Sequence, residues 1–296
     1  MGMEQAGHEC VYSVEWDKHK RKIYSIIFGK EPEGSDIRAT NARDIPRADV
    51  WTFGAPCQDF SIAGKRAGME GERSSLVLEV FRLVRETPEE DRPKYLIYEN
   101  VKGMLSSNGG RDFLRILDQM ATLGYDFREY GLLNSAYFGV PQNRERVFSI
   151  GHLRGRSIGK VFPIEPNMDC QNPAVCLTTR GYGSQRNGTY VITHSKINQI
   201  GSTSNSEHNP VSGRVYGIDG LSPTLRTPTG GKTMPIVLDG KKIRQLTPKE
   251  CWRLQGIPDE ITDKVIQAGI SDSQMYRGAG DACTVNVIYE IAKKLT

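Results

Sequence analysis

The stretch Ala55-Pro56-Cys57-Gln58-Asp59-Phe60-Ser61 puts a thiol just past an apolar, strand-like run, Val50–Phe53, that ends in Gly54. A thiol attacks only as thiolate, which needs a nearby cation, helix start or positioned base. Lys65, Arg66, Gly68, Gly71 and Arg73 follow, a glycine- and cation-rich setting for a nucleophile held beside a polyanion. A single cysteine is more often inert filler, so its weight comes from two clusters farther on. The apolar run Tyr95–Tyr98 ends in Glu99-Asn100-Val101, and Pro141-Gln142-Asn143-Arg144-Glu145-Arg146-Val147 carries two guanidinia around one acid. Glu99 closes a strand as Cys57 follows one, which sets both at the carboxyl edge of a parallel sheet, where open α/β folds place their sites. Arg144 and Arg146 share a face if their segment is extended. Alone, Glu-Asn-Val and Arg-x-Arg are weak signals; in this order and spacing the three clusters together are strong.

The elements that must hold these groups follow from composition. Up to about residue 152, strand-like runs (Cys10–Val14, Val50–Phe53, Tyr95–Tyr98, Arg146–Ile150) alternate with helix-like stretches such as Leu76–Arg85 and Arg111–Leu123. Such alternation predicts an α/β fold with a mainly parallel, doubly wound sheet covered on both faces. From 153 to about 243 helical periodicity vanishes and Gly, Ser, Thr, Asn and Pro dominate, which predicts a smaller β-rich domain. Helical character returns at Pro248–Leu254 and at Val285–Leu295, and the last helix should pack back on the sheet, making the larger domain discontinuous. Of the net charge of +4, residues 153–245 hold twelve Lys/Arg against five Asp/Glu, +7, which leaves −3 for the remainder. A basic segment beside a slightly acidic body is the footprint of phosphate contact. The six cysteines (10, 57, 170, 176, 251, 283) form no C-x-x-C pair, and the sequence shows no leader and no long apolar run. These features predict a reduced, cytoplasmic protein with no structural metal and no membrane span.

With its motifs in this order, the chain resembles the DNA (cytosine-5)-methyltransferases of the bacterial and phage restriction–modification type, nearly end to end. Pro56-Cys57-Gln58 resembles the family's nucleophile motif, Glu99-Asn100-Val101 its acid motif, and Gln142-Asn143-Arg144-Glu145-Arg146 its Gln-x-Arg-x-Arg motif. Val14-Glu15-Trp16-Asp17 and Ser35-Asp36-Ile37 are similar to its cofactor-binding strand ends. Arg244–Gly256 resembles the motif that supports its recognition domain, and Tyr276–Ala282 its closing motif. The resemblance implies a Rossmann-like catalytic domain over 1–152 plus 272–296, and a target-recognition domain over 153–271 that includes Arg244–Gly256.

The resemblance also implies a chemistry. Thiolate addition of Cys57 to C6 of a cytosine makes C5 electron-rich, splitting one hard step into easier ones. Glu99 would give or share a proton at N3, a role suited to a carboxyl in a closed pocket. Arg146 would hold the ring O2, and Arg144 a flanking phosphate or Glu99. A stacked base is out of reach, so the cytosine must be flipped out, and the loop 58–74, with Gln58, Ser61 and Arg73 as DNA contacts, would close over it. Arg180, Thr224 and Arg226 are the DNA-binding candidates of the smaller domain; Thr224-Leu225 matches a Thr-Leu element that abuts the flipped nucleotide. The cofactor implied is S-adenosylmethionine, with Glu15 on the ribose, Trp16 stacked on adenine, Asp36 accepting from its amine, and Ile37 and Ala282 beside them. The partner is double-stranded DNA, the expected state a monomer, and a cognate restriction endonuclease the companion of this type.

Two departures matter. The family's first motif, a strand ending in Phe-x-Gly-x-Gly, is missing, and Met1–Gly7 resembles the helix that follows it. A start placed too far downstream is the favoured explanation, ahead of a degenerate enzyme or complementation by another polypeptide. Loss of that central strand would unpair two neighbours. Asp281 stands where the family usually has Asn, an extra negative charge at a cofactor or hinge contact. The alternatives are a tRNA cytosine-5 methyltransferase of the DNA-enzyme type, which a compact smaller domain would favour, and a truncated, non-catalytic DNA-binding homologue.

Overall fold

The computed structural model describes residues 1–54, 76–156, 159–165, 196–203, 214–218, 220–227 and 234–295. Its principal sheet has the strands β1 (Val50–Gly54), β2 (Tyr95–Val101), β3 (Phe127–Asn134) and β5 (Glu145–His152) in the order β1-β2-β5-β3. β1 and β2 are parallel, while β5 runs antiparallel to both β2 and β3, so three of the four strands share one direction. Alternation along β2 divides its side chains between two cores. Leu96 and Tyr98 meet helices α3 (Leu76–Glu86) and α4 (Arg111–Thr122) through Val77, Phe81, Ile116 and Met120. Tyr95 and Ile97 face Val287 and Ile291 of α8 (Val285–Ala292), together with Leu295 and, from α1 (Gly2–Gln5), Met3. Helix amphipathicity of period 3.6 against strand alternation of period 2 thus produces the doubly covered sheet, and the C-terminal helix does return to it.

One expected strand is nearly absent. Cys10–Val14 forms only an isolated parallel bridge, Val14 to Gly34, fastened by Gly34 N–H to Ser13 O (2.9 Å) and Glu15 N–H to Gly34 O (3.1 Å). Among the described residues β1 is an edge strand, although Val50 packs into one core and Trp51 and Phe53 into the other. A strand-like run without a neighbour along its length cannot build a ladder, which is why Cys10–Val14 stays irregular. Helix α2 (Lys18–Phe28) follows, with the Asp17 carboxylate accepting from the His19 and Lys20 amides at its N-terminus.

The second part of the chain contains a four-stranded sheet in the order β10-β9-β7-β6, made of β6 (Gln199–Ser202), β7 (Arg214–Gly217), β9 (Ile236–Asp239) and β10 (Lys242–Gln245). Helices α5 (Pro248–Arg253), α6 (Asp259–Gln267) and α7 (Asp272–Asp281) follow. Their core, around Trp252, Leu254, Val265 and Met275, also takes in Val237 of β9 and Ile23 of α2. A small parallel pair, β4 (Gln142–Asn143) with β8 (Ser222–Pro223), stitches the two regions together.

Candidate active site

The parallel register of β1 and β2 pairs Gly54 with Glu99 at their carboxyl ends. A Cβ at Gly54 would stand 3.2 Å from Glu99 Oε2, so glycine is what lets the backbone pass the carboxyl closely before Ala55-Pro56-Cys57. The antiparallel register of β5 sets Arg146 opposite Val101, and the Arg146 Nε reaches Glu99 Oε1 at 3.1 Å. Both side chains are mostly covered, 13% and 22% exposed. Glu145, between the two arginines, points elsewhere and pairs with Lys102 at 3.0 Å. The carboxyl and guanidinium expected to act together therefore meet, on neighbouring strands. Cys57, Gln58, Ser61, Arg73 and Arg180 lie outside the described residues.

Arg144 has different partners from those expected. It is 2% exposed, and its guanidinium donates to the carbonyls of Leu225 (3.2 Å), Gly280 (3.0 Å) and Ala282 (2.7 Å). A flanking phosphate cannot reach a side chain so enclosed, and these three bonds all go to backbone carbonyls. Beside it the fully buried Gln142 amide donates to Leu254 O (2.8 Å) and accepts from Leu225 N–H (3.1 Å). Thr224 donates its hydroxyl to Asn143 O at 2.6 Å, so the Thr-Leu step does lie against the Gln-x-Arg-x-Arg segment, with Arg226 exposed next to it. Closeness here demands glycine again: a Cβ at Gly280 would fall 2.5 Å from the Thr227 nitrogen.

The cofactor-side candidates gather around the Val14–Gly34 bridge. Glu15 Oε1 accepts from Asp17 N–H at 2.9 Å. Trp16 is 72% exposed, with the Arg38 guanidinium 6.0 Å from its ring centre. Arg38 also grips Asp36, through Nη2 to Oδ2 at 2.7 Å and Nε to Oδ1 at 3.0 Å, and these bonds hold the Asp36 carboxyl below the usual range. The Ile37 carbonyl is fixed by Arg82 at 3.2 Å. Ion pairs from α2 to α7, Lys20 to Asp281 (2.7 Å) and Asp17 to Arg277 (3.6 Å), carry the segment with Ala282 to this end of the fold. The extra charge of Asp281 is thereby answered by Lys20 and by a hydrogen bond from the Thr227 hydroxyl. A solvent-facing indole beside two carboxylates fits a ligand with a flat heterocycle and hydroxyl or amine donors, which is the chemistry of an adenosine group.

Sequence reasoning assigned no role to Gln142, Lys20 or the buried trio Ser135, Thr284 and Gln255. In that trio the Thr284 hydroxyl lies 2.8 Å from Ser135 Oγ and 3.1 Å from Gln255 Oε1. Their partners are 29 to 261 residues away in sequence, and only the Gln of Gln-x-Arg-x-Arg and Gln255, inside the Arg244–Gly256 motif, offered a signal. Among the described residues no group of His, Cys, Asp and Glu could hold a metal ion, and no helix is long and apolar enough to cross a membrane.

The sequence model for C-5 cytosine-specific DNA methylases matches residues 1–296. Type II methyltransferase M.HhaI of Haemophilus parahaemolyticus is 33% identical over 308 residues, covering 99% of this chain and 89% of the relative. M.NgoBI of Neisseria gonorrhoeae is 32% identical over 298 residues, covering 100% and 88%. Among solved structures, the S. pombe Dnmt2 methyltransferase superposes with a TM-score of 0.68 at 18% identity, over 98% of this chain and 93% of that one. The Entamoeba histolytica methyltransferase EhMeth gives 0.69 at 16% identity, covering 99% and 94%.

Proposed function

Since the chain belongs to the C-5 cytosine-specific DNA methylases, an enzyme family, we propose that it methylates C5 of a cytosine flipped out of a specific double-stranded DNA sequence, with Cys57 adding covalently to C6. The observation that carries this reading is the Glu99–Arg146 pair at 3.1 Å, at the carboxyl end of β1, whose last residue, Gly54, precedes Pro56-Cys57 in the sequence. Residues 153–271 act as the recognition domain.

In this reading Cys57 Sγ bonds to C6 and the displaced π electrons move to N3 and C5, while Glu99 gives a proton at N3. Arg146 aims the Glu99 carboxyl and offers its remaining N–H groups to the ring O2. S-adenosylmethionine, when bound, supplies an electrophilic methyl group. Glu15, Trp16, Asp36, Ile37 and Ala282 would hold it. A base then takes the C5 proton, the C6–S bond breaks, N3 returns its proton to Glu99, and the ring regains its aromatic π system. Arg144 serves as a buried clasp between the Leu225 segment and residues 280–282, which keeps Thr224 against the site.

The test is methyl transfer from labelled S-adenosylmethionine to duplex DNA and to tRNA, with bisulfite mapping of the DNA product. Duplex DNA carrying 5-fluorocytosine at the mapped site should trap a covalent complex with the wild-type chain and none with Cys57→Ser. Label entering tRNA but not DNA would replace the substrate. Trapping by Cys57→Ser would refute the nucleophile.

A further inference from the structure

We propose that Thr284 is a positioning residue. Its hydroxyl, taking a hydrogen bond from Ser135 and giving one to Gln255, fixes the spacing between the segment with Ala282 and the segment with Arg144 and Arg146. This rests on the reading that Ala282 lies beside the cofactor and Arg146 beside the base, so that the hydroxyl sets one reactant against the other. Thr284 stands at the N-cap of α8, where a threonine hydroxyl ordinarily accepts from an amide of the first turn. Here it makes no such bond. The side chain is instead buried, 3% exposed, with its oxygen 2.8 Å from Ser135 Oγ and 3.1 Å from Gln255 Oε1. A capping residue that forgoes its cap points to another use for the hydroxyl.

The direction of these bonds follows from their neighbours. The Gln255 amide nitrogen donates to Ala279 O at 2.9 Å, which turns the amide oxygen toward Thr284. Thr284 has one hydroxyl hydrogen and gives it to that oxygen, so at the other contact Ser135 is the donor. Ser135 then serves Arg144 O through its backbone N–H, at 3.0 Å, its hydroxyl being farther from that carbonyl at 3.4 Å. The Arg144 guanidinium in turn holds Ala282 O at 2.7 Å. Ser135, Arg144, Ala282 and Thr284 therefore close a ring of bonds in which neither segment can slide alone. Gln255 adds the third side, since its own carbonyl accepts the Val285 amide at 2.9 Å. A buried and fully paired network specifies one arrangement, whereas an apolar contact of the same shape is non-directional and tolerates a shift.

Two measurements decide the matter. Thr284→Val keeps the side-chain shape and replaces the hydroxyl by a methyl group. It should lower kcat about tenfold, because misplaced reactants are costly, with KM for DNA within about twofold of wild type. Thr284→Ser keeps the hydroxyl and should return kcat to within about twofold of wild type. A merely structural role would lower the urea midpoint and leave the kcat of the folded enzyme unchanged, and that result overturns the proposal. Should Thr284→Val not fold, Ser135→Ala carries the same test. It leaves the Thr284–Gln255 bond intact and should lower kcat about threefold, an unchanged kcat again being fatal. Amide hydrogen exchange needs no turnover. In the variant that folds, exchange should quicken about tenfold in peptides covering residues 279–284 and 143–146 together, with α3 and α4 as the unmoved reference. Acceleration spread evenly over the chain, or confined to one of the two peptides, refutes the coupling. Paired local acceleration in a protein whose wild-type form methylates neither DNA nor tRNA would strike the proposed function while leaving the positioning of the two segments standing.

Discussion

Arg144 and Arg146 stand two residues apart and do unlike work. Arg146 lies in a ladder whose register places it by Glu99; the motifs put both groups on one base, at O2 and N3, but offered Glu99 to Arg144 as a partner, not to Arg146. Arg144 reaches carbonyls 81, 136 and 138 residues away, and nothing in its neighbourhood of the sequence announces them. The two should therefore fail differently. Arg146→Ala should cost about 10²- to 10³-fold in kcat, as loss of one preorganised donor does, with a urea midpoint close to wild type. Arg144→Met leaves three carbonyls bereft of their donor and should lower folding stability by about 2–4 kcal/mol, seen in urea unfolding, with activity falling in step. Equal stability losses in the two variants would contradict this division of labour.

At the level of elements, the strands carrying Glu99 and Arg146, the helices at 76–86 and 111–122, and the returning helix at 285–292 were all legible, because apolar periodicity marks them strongly. Helices α2, α6 and α7 were not read from the sequence. Their polar faces are broad, and α7 contains Gly278 and Gly280, so tertiary contacts with Trp252 and Ile23 rather than pattern sustain them. The start of α2 can be tested directly. Burial raises the proton affinity of Asp17, but the Lys20 and His19 amides and the charges of Arg277 and Lys20 bring it below the ordinary value. A carboxyl depressed in the folded state contributes its stability above the unfolded pKa, about 3.9, and loses it as pH falls through the folded value. Asp17→Ala should therefore cost about 1 kcal/mol at neutral pH, and the gap to wild type in urea unfolding should narrow as the pH drops below about 4. A gap that stays constant into acid would dissociate the helix cap from the carboxylate charge.

For the whole molecule, the two-part α/β organisation could be read ahead of the structure, and so could the uneven charge. The interlock between the parts could not, because β4–β8, the Arg144 clasp and the Lys20–Asp281–Thr227 contacts join short segments that look like loops. The uneven charge predicts a salt dependence. If the +7 of residues 153–245 engages phosphates, log K for duplex DNA should fall linearly with log salt, with a slope of about −0.9 for each phosphate neutralised. Replacing Arg226 by Gln should reduce that slope by about one such increment, read by fluorescence anisotropy across a salt series. An unchanged slope would remove Arg226 from the DNA-contacting face.

The cover that Val287, Ile291 and Leu295 give to Tyr95, Ile97, Phe148 and Ile150 has a consequence for synthesis. A ribosome releases those three residues after every strand they shield, so half of the principal sheet emerges with an oily surface and nothing yet made to hide it. Nascent chains in that condition are aggregation-prone clients of chaperones. A nonsense codon shortly before Val285 would leave the growing protein in that state permanently, with every catalytic motif up to Arg146 translated and no finished body to hold them.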